Sequence, residues 1–78
     1  MTWNYRIVKY KDGSGFGLHE VYYDKNGQAS AMTLDSISFV VDTEEGAPVL
    51  IKSLCMALTD ALTRPVFDEP EAWLGEPL

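Results

Sequence analysis

The sequence predicts an α+β fold: a three- to four-stranded antiparallel β-sheet (a meander) packed by one C-terminal α-helix and followed by an acidic extended tail. Residues 1–41 contain short alternating runs of strand-forming residues separated by glycine-rich turns. Residues 42–64 place apolar residues at helical spacing, and residues 65–78 are acidic and interrupted by proline. We expect one domain over residues 1–78, because a chain of 78 residues supports only a thin core.

The first strand is predicted at Trp3–Lys11. Apolar and polar residues alternate as far as Ile7, and beyond it the apolar residues move to the even positions. A bulge near Ile7–Val8 explains this change of phase, and so does a strand with both faces partly covered. The turn Asp12–Gly15 then supplies glycines for a hairpin.

The second strand is predicted at Phe16–Asp24, the densest run of strand-forming residues and the centre of the sheet. Asn26-Gly27 is a strong hairpin signal, so a third strand is expected at Gln28–Thr33. Ser36–Val41 is also extended, as a fourth strand or as the continuation of the third. Three of its residues are expected to face the core: Ile37, Phe39 and Val41.

A regular helix is predicted from about Pro48 to about Thr63, after a cap at Asp42 or Thr43. Glu44–Glu45 is expected in the first turn, where the helix dipole favours acids. The apolar residues of the helix fall on one face, which should pack on the sheet. We call this face the apolar stripe; its members are Leu50, Ile51, Leu54, Leu58, Ala61 and Leu62.

No motif in the sequence supports catalysis. His19 and Glu20 are adjacent in a strand and point to opposite faces, so His19 is expected to be structural. Cys55 is expected to be buried or half-buried on the helix flank, and one cysteine excludes an internal disulfide. Asp12–Gly17 joins two strands and does not open a helix, unlike a phosphate loop. We therefore expect no enzyme activity, no catalytic residue, no metal and no cofactor.

The N-terminal segment lacks the apolar run of a signal peptide, and no window approaches the roughly 18 apolar residues of a membrane span. A single unpaired thiol suits a reducing compartment. We expect a cytoplasmic protein with no membrane partner.

Charge is distributed unevenly along the chain. Residues 1–34 hold four basic and three acidic residues, a balance of +1, whereas residues 35–78 hold two basic and nine acidic residues, a balance of −7. Such a surface repels phosphates and attracts basic protein surfaces, so direct nucleic acid binding is not expected. The plain alternative is a charge that only keeps the protein in solution.

Five segments together carry a resemblance to known proteins: WNYRIV, GLHEVYYD, NG, SFVVDT and RPVFDEPE. With them the chain resembles a family of small bacterial and prophage proteins, most of which have no assigned function. More narrowly, it is similar to anti-CRISPR proteins that act on type I (subtype I-C) Cascade surveillance complexes. The resemblance implies a non-enzymatic inhibitor that binds Cascade stoichiometrically and stops target DNA from docking.

Such an inhibitor would present carboxylates to the basic surface that recognises the protospacer-adjacent motif (PAM) and so mimic DNA. The acids favoured for this role lie at the helix start and in the tail, with three further candidates elsewhere. They are Asp42, Glu44 and Glu45; Asp68, Glu69 and Glu71; and then Glu20, Asp24 and Asp35. An exposed Trp73 or Tyr22 is a candidate aromatic anchor.

Two other classes of function stay open. One is a housekeeping interaction module or small homodimer, joined through an edge strand or the Met56 face of the helix. The other is an enzyme subunit or small-ligand binder, which requires a pocket around His19. The sequence allows either a monomer or a homodimer.

Overall fold

The α+β class is confirmed by the structure, a computed structural model that describes residues 2–73. The part of the predicted tail at residues 74–78 lies outside the described residues. The structure has a four-stranded sheet with the strand order β3-β2-β1-β4 and one helix, which lies between β3 and β4 in the sequence. The elements are β1 (Thr2–Lys9), β2 (Phe16–Tyr23), β3 (Ala29–Met32), α1 (Gly46–Thr63) and β4 (Phe67–Asp68).

The sheet is mixed, so the prediction of a purely antiparallel meander is wrong. β1–β2 and β2–β3 are antiparallel, but β4 lies parallel to β1, with Val8 opposite Phe67 and Lys9 opposite Asp68. A parallel neighbour requires a long crossover, and the chain that includes α1 provides it. The segment after Pro65 thus packs against the free edge of β1.

Residues 36–41 do not form a strand, although their sidedness is as predicted. The Ile37 amide donates to the Leu18 carbonyl (2.8 Å), which ties the segment to β2. Ile37, Phe39 and Val41 are half-buried, whereas Ser36, Ser38 and Val40 are exposed. Phe39 contacts the Tyr5 ring at a centroid distance of 5.8 Å, so the segment adds to the core without extending the sheet.

The change of phase in β1 and β2 comes from burial on both faces. The β1–β2 register runs unbroken from Thr2 opposite Tyr23 to Lys9 opposite Phe16, so of the two explanations offered for the change of phase, the bulge near Ile7–Val8 is wrong. An irregularity occurs instead between β2 and β3, at Tyr22/Tyr23. Tyr5 and Val8 are both buried but point to opposite faces of β1.

α1 begins at Gly46, two residues before the predicted start. The Asp42 carboxylate accepts the Glu45 amide (2.8 Å) in the turn before the helix, so Glu44 and Glu45 precede the first turn and do not lie in it. Pro48 fits because the first-turn amides have no partner within the helix.

Four of the six residues of the apolar stripe (Ile51, Leu54, Leu58 and Leu62) are exposed and not packed on the sheet, which corrects a second prediction. Ala57 is 5% exposed and is the buried residue of α1, whereas Leu58 is 60% and Leu62 is 77% exposed. Cys55, expected to be at least half-buried, is also exposed. At 100° per residue, the least exposed side of the helix is turned roughly 90° from the stripe.

Small residues and one hydrogen bond explain this rotation. Ser53 and Ala57 lie on the less exposed side of α1, where short side chains let the helix approach β1 closely. Asp60 Oδ2 accepts the Tyr5 amide at 3.0 Å and so fixes the helix against the outer edge of β1. The rotation leaves most of the large apolar residues of the helix in solvent.

The exposed helix also affects the membrane prediction. α1 has 18 residues and a mean hydropathy of 1.2, which is just long and apolar enough for a span, although it carries Lys52 and Asp60. The expectation that no window approaches the length and hydropathy of a membrane span is therefore wrong for α1.

Candidate protein-binding surface

The helix-start acids (Asp42, Glu44 and Glu45) are all exposed, but they are not equivalent. Asp42 holds the turn: its carboxylate accepts the Glu45 amide, and its carbonyl accepts the Gly46 amide at 3.2 Å. Glu44 and Glu45 project from a turn that this bonding fixes. They are therefore available to a partner without loss of an internal contact of the turn.

The tail acids (Asp68, Glu69 and Glu71) lie beside the end of β1. The Glu69 amide donates to the Lys9 carbonyl (3.0 Å), and a Glu69 carboxylate oxygen accepts the Lys11 amide (3.1 Å). Lys11 Nζ donates to the Glu71 carbonyl at 3.2 Å. Asp68 and Glu71 are exposed, whereas Glu69 is half-buried and helps to attach the tail.

Two of the remaining predicted acids have internal structural roles. Glu20 is half-buried and accepts the Tyr22 hydroxyl at 2.6 Å, which raises the pKa of Tyr22 because the bond favours the neutral phenol. The Asp24 carboxylate accepts the Asn26 and Gln28 amides (2.8 and 3.1 Å) and so shapes the β2–β3 turn. These bonds make Glu20 and Asp24 weaker candidates for a partner surface.

Asp35 and Glu69 come together in an open concavity of about 340 Å³ that Asp12 also lines. The Asp12 carboxylate accepts the Ser14 amide (2.8 Å), and hydrogen bonding to Ser14 lowers the Asp12 pKa. Sequence reasoning missed Asp12 because it read the residue only as part of a hairpin turn. The concavity joins the first hairpin, the segment after β3 and the tail, which are far apart in the sequence.

His19 is 1% exposed and both of its ring nitrogens have partners. Nδ1 lies 3.0 Å from the Thr33 carbonyl, which can only accept, so Nδ1 carries the proton. Nε2 therefore accepts from the Tyr10 hydroxyl at 2.7 Å. Glu20 lies on the opposite face of β2, so the structure does not bring His19 and Glu20 together.

The proposed aromatic anchors are both partly covered. The Trp73 ring stacks on Phe67 at a centroid distance of 6.0 Å, and Tyr22 is half-buried with its hydroxyl on Glu20. Trp73 therefore packs the tail onto β4 and contributes less to a free surface than expected.

Two basic residues lie at a separate site. Arg6 and Arg64 line an open concavity of about 390 Å³ at the Thr2 end of the sheet. Arg6 donates from Nε and Nη2 to the Pro65 carbonyl (3.3 and 2.8 Å) and from Nη1 to the Tyr23 hydroxyl (2.9 Å). Its guanidinium also lies over the Phe67 ring, so Arg6 mainly joins the tail to β1 and β2.

Within residues 2–73, no group of three or more His, Cys, Asp or Glu side chains is arranged to hold a metal ion. The site features that remain are the exposed acids and the outward apolar face of α1, which consists of Ile51, Leu54, Leu58 and Leu62. Comparisons of the chain with protein-family models, curated proteins and solved structures found no match.

Proposed function

We propose that this chain is a non-enzymatic inhibitor that binds a type I CRISPR Cascade complex in the bacterial cytoplasm. Its exposed carboxylates occupy the basic surface on which target DNA docks. The proposal rests on the resemblance of the sequence to anti-CRISPR proteins and on the exposure of its acids.

The exposure of the acids is the observation that carries the proposal. Of the nine candidate acids, six are exposed, and three of the six lie within four consecutive residues at the helix start. The exposed acids are Asp35, Asp42, Glu44, Glu45, Asp68 and Glu71.

Electrostatic attraction explains how these acids would inhibit DNA binding. A PAM-recognition surface is lined by Lys and Arg, and carboxylates placed on it compete with DNA phosphates. Attraction between the net charge of −6 and a basic surface also accelerates encounter, by roughly 10-fold or more at low salt. The inhibitor needs no chemistry of its own, because occupancy alone blocks the DNA.

A gel-shift assay tests the proposal. Purified Cascade is incubated with increasing amounts of the chain and then with PAM-containing target duplex. We expect the shifted DNA band to disappear at stoichiometric amounts of the chain. Normal DNA binding at saturating chain would reject the proposal.

Paired charge variants test the role of the helix start. Glu44→Gln/Glu45→Gln and Asn26→Lys/Gln28→Lys each change the net charge of −6 by two units, but at different sites. All four side chains are exposed, so both variants should fold. We expect the glutamine pair to weaken inhibition roughly 10-fold or more and the lysine pair to weaken it much less. Equal loss in both variants would mean that only net charge matters.

A further inference from the structure

We propose that the outward apolar face of α1 is a homodimer interface, in which a second copy of this chain packs its own α1 antiparallel about a two-fold axis. The face consists of Ile51, Leu54, Leu58 and Leu62. The proposal concerns a surface distinct from the acids and holds whether or not the chain inhibits Cascade.

The face is unusually apolar for a surface. Its four residues are between 46% and 77% exposed, while the buried apolar residues of the described chain are Tyr5, Val8, Val21 and Ala57. The largest aliphatic side chains of the helix thus lie outside a small core. A contiguous exposed apolar patch of this kind marks an interaction site.

The area of the face is sufficient for a pair. Four aliphatic side chains at these exposures present roughly 500 Å², so a two-fold pair buries roughly 1,000 Å², the lower limit for a specific interface. An interface of this size is at the low end of specific interfaces, so we expect a weak dimer.

The face itself carries no charge that would oppose a second copy. The charged residues of α1 are Lys52 and Asp60, and both lie off this face. Two copies can therefore meet without like charges of the helix in contact. The face offers no carboxylate to a basic partner. The net charge of −6 on each copy repels the other copy as it repels anionic lipid, and salt screens this repulsion. Two uncharged apolar faces are self-complementary, as an isologous interface requires.

The antiparallel direction follows from the ends of the helix. Acids precede the helix at Glu44 and Glu45, and Arg64 follows its last residue. Antiparallel pairing brings the acidic start of one helix to the Arg64 end of the other and opposes the two helix dipoles. Ile51 then meets Leu58 of the second copy, because both lie at the same distance from the helix midpoint between Leu54 and Cys55.

Molar mass in solution, measured by light scattering from about 5 to about 200 µM, tests the proposal. We expect the wild-type mass to rise from monomer to dimer. Leu58→Glu should weaken association roughly 30-fold or more, since the two-fold axis places the residue in the interface twice. Met56→Glu is the matched control, because Met56 is 50% exposed on the other flank of the same helix. It should leave the dimer intact.

The one cysteine of the chain provides a second readout. Cys55 is exposed beside the helix midpoint, so a short bismaleimide should link two copies of the wild type but not of Leu58→Glu. Circular dichroism of each variant shows whether it is folded. Because Leu58 is exposed, we expect the Leu58→Glu monomer to be folded.

Three results would overturn the proposal. One is a protein that stays monomeric at the highest concentration, whether or not it also sediments with phosphatidylcholine vesicles. Another is a dimer that Met56→Glu disrupts and Leu58→Glu does not. The third is a dimer in which Cys55 does not crosslink. Because Leu58→Glu keeps every candidate acid, a loss of dimerisation and a loss of Cascade binding are measured separately.

Discussion

At the scale of single residues, Gly17 is the position where a side chain fits least. A Cβ there would overlap the Tyr10 hydroxyl and lie 2.9 Å from Tyr10 Cζ. The Tyr10 hydroxyl is held by its bond to His19, so the ring is not free to move away. Gly17→Ala should therefore destabilise the fold by about 1–3 kcal/mol in urea unfolding, because the site becomes overfilled.

The double variant Gly17→Ala/Tyr10→Ala provides the control for this prediction. If the methyl group acts by displacing Tyr10, the two single effects are not additive, and Gly17→Ala costs much less without the ring. An unchanged urea midpoint for Gly17→Ala would contradict the packing of Tyr10 on Gly17.

Tyr5 makes the stability sensitive to high pH. Burial raises the Tyr5 pKa above its ordinary value of 10.0, and the nearby Glu20 and Asp60 carboxylates raise it further. Folding therefore favours the neutral phenol, so this contribution is fully present below about pH 10 and is lost as the pH rises through the raised pKa. Thermal unfolding between about pH 8 and 11 should show a fall in melting temperature that is shallower in Tyr5→Phe. Equal falls in the two proteins would contradict this assignment.

Some roles of single residues were predictable from sequence and others were not. His19 was expected to be structural, and its burial agrees with that. Asp24 starts the turn DKNG, where an Asp side chain commonly accepts backbone amides, so its structural role is predictable from the local sequence. The bond of Glu20 to Tyr22 has no comparable local signature.

At the scale of elements, the rotation of α1 is the main structural finding. Its bounds were nearly predictable, because Pro48 and Pro65 limit the helix in the sequence. Its orientation was not, since apolar periodicity shows which side of a helix is apolar and not which side is packed. The Asp60–Tyr5 bond that fixes the rotation joins residues 55 positions apart.

Two substitutions on neighbouring residues test this rotation. Ala57→Leu should destabilise the fold by about 1–3 kcal/mol, because Ala57 is in the contact with β1. Leu58→Ser should cost less than about 1 kcal/mol, because Leu58 is exposed. Chemical denaturation at a concentration where the protein is monomeric compares the two. A larger cost for Leu58→Ser would place the apolar stripe against the sheet.

β4 depends on Phe67, which lies between Arg6 and Trp73. Phe67→Ala should destabilise the fold by about 1–3 kcal/mol and shift tryptophan emission to longer wavelength, because Trp73 loses its stacking partner. Val66→Ala is the control, since Val66 is exposed, and it should change stability by no more than about 0.5 kcal/mol. Unchanged emission in Phe67→Ala would contradict the packing of the tail.

The fourth strand shows why part of the topology escaped sequence reasoning. Residues 36–41 have the alternation of a strand but only one backbone bond to β2 is formed there, through Ile37. The two residues Phe67–Asp68 have no such pattern. They pair with β1 because the end of α1 lies near the free edge of that strand. Which segment takes an edge is decided by the crossover, which local pattern does not encode.

At the scale of the whole molecule, the two proposed surfaces are separate. We propose a basic partner for the exposed acids and a second copy of the chain for the outward apolar face of α1. The excess of acids in the second half was readable from the sequence, and most of those acids are exposed. The apolar surface was not readable, because it depends on the rotation of α1.

The claim that matters most for function is that the chain and target DNA compete for one surface of Cascade. Binding of labelled chain to immobilised Cascade, with and without excess PAM-containing duplex, measures this competition directly. We expect the chain to bind alone and to be displaced by the duplex, with Glu44→Gln/Glu45→Gln binding more weakly. A chain that does not bind Cascade, or that binds equally well when the DNA site is filled, would contradict the proposed inhibition.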